Sequence, residues 1–138
     1  MTQEDKDLLL KDLSARLPYG VMIQIPELFY PQRKVIEKLI TINNLWHFNE
    51  DGTYIENVKP YLRPMSSMTE EELYEVQEIL GKGVEIHDVF ISIVDSSINT
   101  FSYLELQAVF DWLNKKMFDY RGLIEKGLAL EAPEGMYK

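Results

Sequence analysis

The chain contains no cysteine, and that absence removes disulfides, thiolate nucleophiles, cysteine-ligated zinc and iron–sulfur clusters together. Imidazole is nearly as scarce. His47 and His87 are the only histidines, too few for a multi-histidine zinc site within one chain. With carboxylates as the only other ligands, neither a metal nor a cofactor is expected. There is no apolar run of the roughly 18 residues that a membrane-crossing helix needs. The opening Met1-Thr2-Gln3-Glu4-Asp5 is acidic where a secretory leader would be basic. These two features predict a cytoplasmic protein with no membrane partner. Positive charge is also in short supply: 14 Lys and Arg stand against 23 Asp and Glu, a formal net charge of −9. Such a chain repels a phosphate backbone and offers little counterion release, so direct binding of nucleic acid is not expected.

Hydrophobic residues make up 46% of the 138 positions and charged residues 27%, which is ordinary globular usage rather than the composition of a disordered chain. The length suits one hydrophobic core. A single domain over residues 1–138 is expected, with 128–138 as an irregular tail because no apolar period is legible there.

Residues 2–17 predict an amphipathic helix. Thr2 is placed to cap it, Asp5 follows three residues on, and Leu9, Leu10, Leu13 and Leu17 keep helical spacing. Pro18-Tyr19-Gly20 should end it. Val21–Ile25 and Val35–Ile42 are β-rich runs, separated by a segment in which Pro26 and Pro31 exclude a central strand. Leu45–Phe48 and Thr53–Ile55 flank Asn49-Glu50-Asp51-Gly52, whose Asp-Gly pair suits a hairpin turn.

The sharpest signal is Lys59-Pro60-Tyr61-Leu62-Arg63-Pro64-Met65-Ser66-Ser67-Met68-Thr69. Its two prolines hold the chain extended, and Thr69 with Glu72 has capping-box spacing. A helix over Glu70–Leu80 follows, with Leu73, Val76 and Leu80 as its stripe and Gly81 as its expected C-cap. Val84–Val94 reads as one long, largely buried strand. Ser102 and Glu105 repeat the capping-box pattern before a helix lined by Leu106, Val109, Phe110, Leu113 and Met117. Leu104, Ala108 and Trp112 widen that face, so this helix is expected to be well buried. Asp119 is placed to cap a further turn through Ile124. The order predicts an α+β domain, three main helices packed against a small, mostly antiparallel sheet.

Leu17-Pro18-Tyr19-Gly20, the Lys59–Thr69 segment, Asp111-Trp112-Leu113-Asn114 and Phe118-Asp119-Tyr120-Arg121-Gly122-Leu123-Ile124 together resemble an uncharacterised family of small proteins from gut Bacteroidetes genomes and their phages. The resemblance spans most of the chain. It carries over no catalytic or binding residue, and it implies a setting: a phage or prophage accessory role, such as modulating a host protein.

Most polar clusters read first as structure. His87 and Asp88 would point to opposite faces of a strand and so cannot pair there. His47 reads as a strand-face histidine between Trp46 and Phe48. Asp95-Ser96-Ser97 suits a loop cap, with no Gly-x-Ser-x-Gly elbow for a serine nucleophile. Gly81-Lys82-Gly83 lacks the spacing and the following Ser or Thr of a phosphate loop, and Asn49–Gly52 is too short for an EF-hand. Glu70, Glu71, Glu72, Glu75 and Glu78 suit a helix dipole, though an acidic face could also imitate nucleic-acid phosphates.

The residue types that concentrate binding energy at interfaces occur at Lys59, Tyr61 and Arg63, which alternate along the proline-held segment, and at Tyr120 and Arg121. These five are the candidate binding residues, and no catalytic residue is nominated. The reading that follows is a small non-enzymatic protein that binds another protein. Its alternatives are an acidic DNA-mimic or anti-defence inhibitor, and a small hydrolase or nucleotide-binding enzyme built on His47 or His87 with Asp95.

Overall fold

The structure is a computed structural model that describes residues 1–26, 30, 32–39, 55–80, 84–87, 90–93 and 103–137. The fold class is α+β, as the sequence predicts. In chain order the described elements are α1 (Gln3–Arg16), β1 (Met22–Pro26), β2 (Lys34–Lys38), β3 (Lys59–Leu62), α2 (Glu70–Leu80), β4 (Val84–His87), β5 (Phe90–Ile93), α3 (Tyr103–Lys115) and β6 (Leu130–Glu131). The chain divides into two compact units. Met1–Leu62 with Leu123–Lys138 make the first, and Arg63–Gly122 is the second, inserted between β3 and the last segment.

In the first unit, α1 begins as its sequence demands. The Thr2 hydroxyl accepts from the Asp5 amide at 3.1 Å, and the Asp5 carboxylate accepts from the Thr2 amide at 3.1 Å. Hydrogen bonding to the carboxylate, from the Thr2 amide first and then the Thr2 hydroxyl, holds the Asp5 carboxyl below the usual carboxylate range. Leu9 and Leu13 are buried, and so are Asp12 and Arg16, which share their face of the helix at i, i+3, i+4 and i+7 spacing. They form an i,i+4 ion pair, Arg16 Nε donating to Asp12 Oδ2 at 2.9 Å. A 3₁₀ turn over Leu17–Tyr19 closes at Gly20, whose φ of 76° is the left-handed conformation that glycine adopts without steric cost.

The sheet runs β2-β1-β3-β6. β1 pairs antiparallel with β2 and with β3, while β3 pairs parallel with β6 through Tyr61–Leu130 and Leu62–Glu131. β3 therefore lies inside the sheet although it contains Pro60. The amide alternation of a strand explains the tolerance. The Leu39 amide donates to the Val21 carbonyl at 2.9 Å, so Val21 and Ile23 turn their main-chain polar groups toward β2, and Met22 and Gln24 turn theirs toward β3. Pro60 lies opposite Ile23, a pair that exchanges no hydrogen bonds, and the ladder to β6 starts only at Tyr61. No neighbour requires the donor that Pro60 lacks.

Of residues 128–138, expected as an irregular tail, the described 128–137 hold little regular structure yet are docked. Leu128 and Ala129 are buried, β6 extends the sheet, and the Ala132 amide donates to the Leu62 carbonyl at 2.8 Å. After Asp119, where a further turn through Ile124 is expected, the chain turns at Tyr120–Arg121, and a second turn follows at Leu123–Leu128. It is closed by Leu128 N–H to Leu123 at 2.9 Å and Gly127 N–H to Ile124 at 3.0 Å, with Gly127 at φ 76°. That bonding pattern ends helices.

In the second unit, α2 spans the predicted residues, and its capping box forms: the Glu72 amide donates to the Thr69 hydroxyl at 3.2 Å and the Thr69 amide to Glu72 Oε1 at 3.1 Å. The single long strand expected over Val84–Val94 is corrected to two. β4 and β5 pair antiparallel, His87 opposite Phe90 and Val84 opposite Ile93, so the run folds back on itself. The apolar run could not mark that reversal, because the two arms of a hairpin and one long strand share the composition. The hairpin expected around Asn49–Gly52, the Gly81 C-cap and the Ser102 cap lie outside the described residues.

Met65, Val76, Val109, Leu113 and Phe118 form a buried cluster, with Met68, Ile79, Trp112 and Tyr120 half-buried against it. Leu113 retains 3% exposure. Leu113→Ala is expected to cost about 2 to 5 kcal/mol by leaving a cavity. A chemical-denaturation midpoint equal to wild type would show that Leu113 is not packed as described.

Candidate functional site

The residues nominated from sequence divide between the two units. Lys59 and Tyr61 belong to the first and Arg63, Tyr120 and Arg121 to the second. Lys59 is half-buried on β3 opposite Gln24. Tyr61 is only 7% exposed; its hydroxyl accepts from the Gln24 side chain at 3.0 Å and its carbonyl from the Tyr137 hydroxyl at 2.6 Å. The expectation that Tyr61 offers a ring to a partner is thereby corrected: the alternation put it on a face that the sheet buries.

Arg63 is held on several sides. Its guanidinium makes a bidentate pair with Glu72, both bonds 2.7 Å, and lies 4.2 Å from the Phe118 ring centroid. It also donates to the Ser67 carbonyl at 3.3 Å. Its amide donates to the Met117 carbonyl at 2.7 Å, and its carbonyl accepts from the Asp119 amide at 2.8 Å. The Arg63 guanidinium holds the Glu72 carboxyl below its usual range, against the opposing effect of burial and with help from the Thr69 amide. This arginine ties the proline-held segment to the start of α2 and to the turn after α3. That is an architectural role.

That turn is built without glycine. The Phe118 amide donates to the Leu113 carbonyl at 3.0 Å and the Met117 amide to the Asn114 carbonyl at 3.2 Å, the paired bonds that terminate a helix through a left-handed residue. Met117 takes the left-handed position at φ 63°, where a side chain other than glycine is disfavoured. Burial of Met117 and Phe118 offsets that strain. The turn swings Tyr120 and Arg121 alongside α3.

There an aromatic patch forms. The Tyr120 ring sits 5.4 Å from Phe110, tilted by 51°, and its hydroxyl donates to Asn114 Oδ1 at 3.0 Å. The Arg121 guanidinium lies over the same Tyr120 ring at 4.7 Å. Of the five nominated residues, these two are in contact. The residue missed is Phe110. It was expected on the buried stripe, yet it is 45% exposed, and Ala108, on the other flank of that stripe, is exposed as well. The signal was present: Val109 and Leu113 define a stripe one turn apart, and Phe110 lies about 100° around the helix from Val109. α3 buries a narrower face than its hydrophobicity suggests.

The glutamates of α2 are partly committed. Glu72 is held by Arg63, while Glu75 accepts from Trp112 Nε1 at 2.8 Å and lies 3.8 Å from Lys116 Nζ. Both interactions serve structure within this unit. Among the described residues, no group of three or more His, Asp or Glu lies close enough to hold a metal ion, and no helix is long and apolar enough to cross a membrane. His47, Asp88, Asp95-Ser96-Ser97 and Gly81-Lys82-Gly83 lie outside the described residues. Comparison with protein families, curated proteins and solved structures finds no match to this chain.

Proposed function

We propose that this is a small non-enzymatic protein-binding accessory protein, and that the surface it uses is the patch of Phe110, Tyr120 and Arg121. The observation that carries the reading is the exposure of Phe110 on a helix whose opposite face is packed, in ring contact with a tyrosine that also carries an arginine. Aromatic side chains supply large contact area at low conformational-entropy cost, and tyrosine and arginine are enriched among the residues that dominate binding energy. The phage or prophage setting rests on the family resemblance alone. The acidic-mimic alternative is less favoured because Glu72 and Glu75 serve interactions within the unit.

The test is comparative capture from the native host with wild type, Phe110→Ala and Arg121→Ala as baits. A partner retained by wild type and depleted at least severalfold by both variants is the expected result. Thermal stability should fall only modestly for Arg121→Ala, since Arg121 is partly exposed and a cation–ring contact is worth about 0.5 to 2 kcal/mol between exposed and desolvated sites. Equal retention by all three baits would sink the proposal.

A further inference from the structure

The antiparallel register between β1 and β3 sets Gln24 opposite Lys59 and Ile23 opposite Pro60, and one further step would set Met22 opposite Tyr61. By the amide alternation of β1, Met22 and Tyr61 should exchange main-chain hydrogen bonds. The ladder stops before that pair. Instead, the Met22 amide donates to the Tyr137 hydroxyl at 2.9 Å, and the same hydroxyl donates to the Tyr61 carbonyl at 2.6 Å. A phenol from the last segment thus stands where a rung is missing, accepting from one strand and donating to the other.

We propose that Tyr137 is a latch: its hydroxyl completes the open rung between β1 and β3, and its withdrawal releases β6 and the last segment from the edge of β3. A hydroxyl accepts and donates through one atom, and tyrosine carries it furthest from the main chain; Phe can do neither. Burial pushes the Tyr137 phenol up to about 12, so it keeps the proton that it donates to Tyr61. The latch and β6 act on adjacent residues of one strand. Tyr137 holds the Tyr61 carbonyl on the β1 side, while the Ala132 amide holds the Leu62 carbonyl on the β6 side. Release of the segment uncovers the Leu62 carbonyl and the β6 side of β3 together, a two-position edge of the kind to which extended chains add.

The test is amide hydrogen exchange on Tyr137→Phe, which keeps the ring and removes the hydroxyl. The amides of Met22 and Ala132 should both exchange faster, on the order of tenfold, while that of Leu39, bonded to Val21 on the far side of β1, keeps its wild-type rate. Unchanged exchange at Met22 would overturn the bridging role. Acceleration at Met22 without Ala132 would overturn the latch, leaving a local rung. Should the variant fail to fold, the wild-type protein still decides: across a denaturant series Met22 and Ala132 should open with one shared free energy, and divergence between them would refute the coupling.

Discussion

Replacing Asp12 with alanine should cost about 3 to 5 kcal/mol, the range for removing one partner of a buried ion pair. Asp12 and Arg16 are both inaccessible to solvent on α1, with Arg16 Nε 2.9 Å from Asp12 Oδ2. The charge on Arg16 loses the Asp12 carboxylate in a place that water does not reach, and desolvation makes that expensive. The discriminating control is the double variant Asp12→Leu with Arg16→Met. Exchanging both charges for apolar groups of similar volume is often neutral, so the double variant should recover most of the loss. Urea unfolding of both variants measures this. A single variant within about 0.5 kcal/mol of wild type, the usual range for surface substitutions, would mean that the pair is solvated.

Phe118→Ala should be comparably severe, about 3 to 5 kcal/mol, through the loss of a large buried ring. Phe118 is fully buried in the cluster with Leu113 and Val109, stacks on Trp112 at 5.7 Å and 22°, and underlies the Arg63 guanidinium. Its burial also offsets the strained φ of Met117, so the turn that sets Tyr120 beside Phe110 depends on it. Phe118→Leu should lose much less, because it keeps most of the apolar volume. Calorimetry on the two variants separates packing from the face contact with Arg63. Equal losses would assign the effect to the ring itself, whereas a loss from alanine no larger than a surface change would contradict the packing described.

The candidate surface was half legible. Tyr120 and Arg121 were nominated for their chemistry and do meet, but Tyr61 and Arg63 have the same chemistry and are absorbed into structure. Residue type cannot separate these fates. What separates them is whether a complementary group stands within reach, Glu72 for Arg63 and Gln24 for Tyr61, and neither meeting is implied by local spacing alone.

The sequence by itself determined the α+β class, the span of α2, the start of α1 and the break at Gly20. Capping boxes, proline and glycine act on neighbours within a few residues, so their effects are written locally. The tertiary structure alone decided the place of β3 inside a sheet despite Pro60, the reversal between β4 and β5, and the docking of β6 with Tyr137. Each of these except the β4–β5 reversal depends on a partner brought from elsewhere in the fold or on burial by the assembled unit. The reversal is local, but its apolar run has no period that distinguishes a hairpin from one long strand.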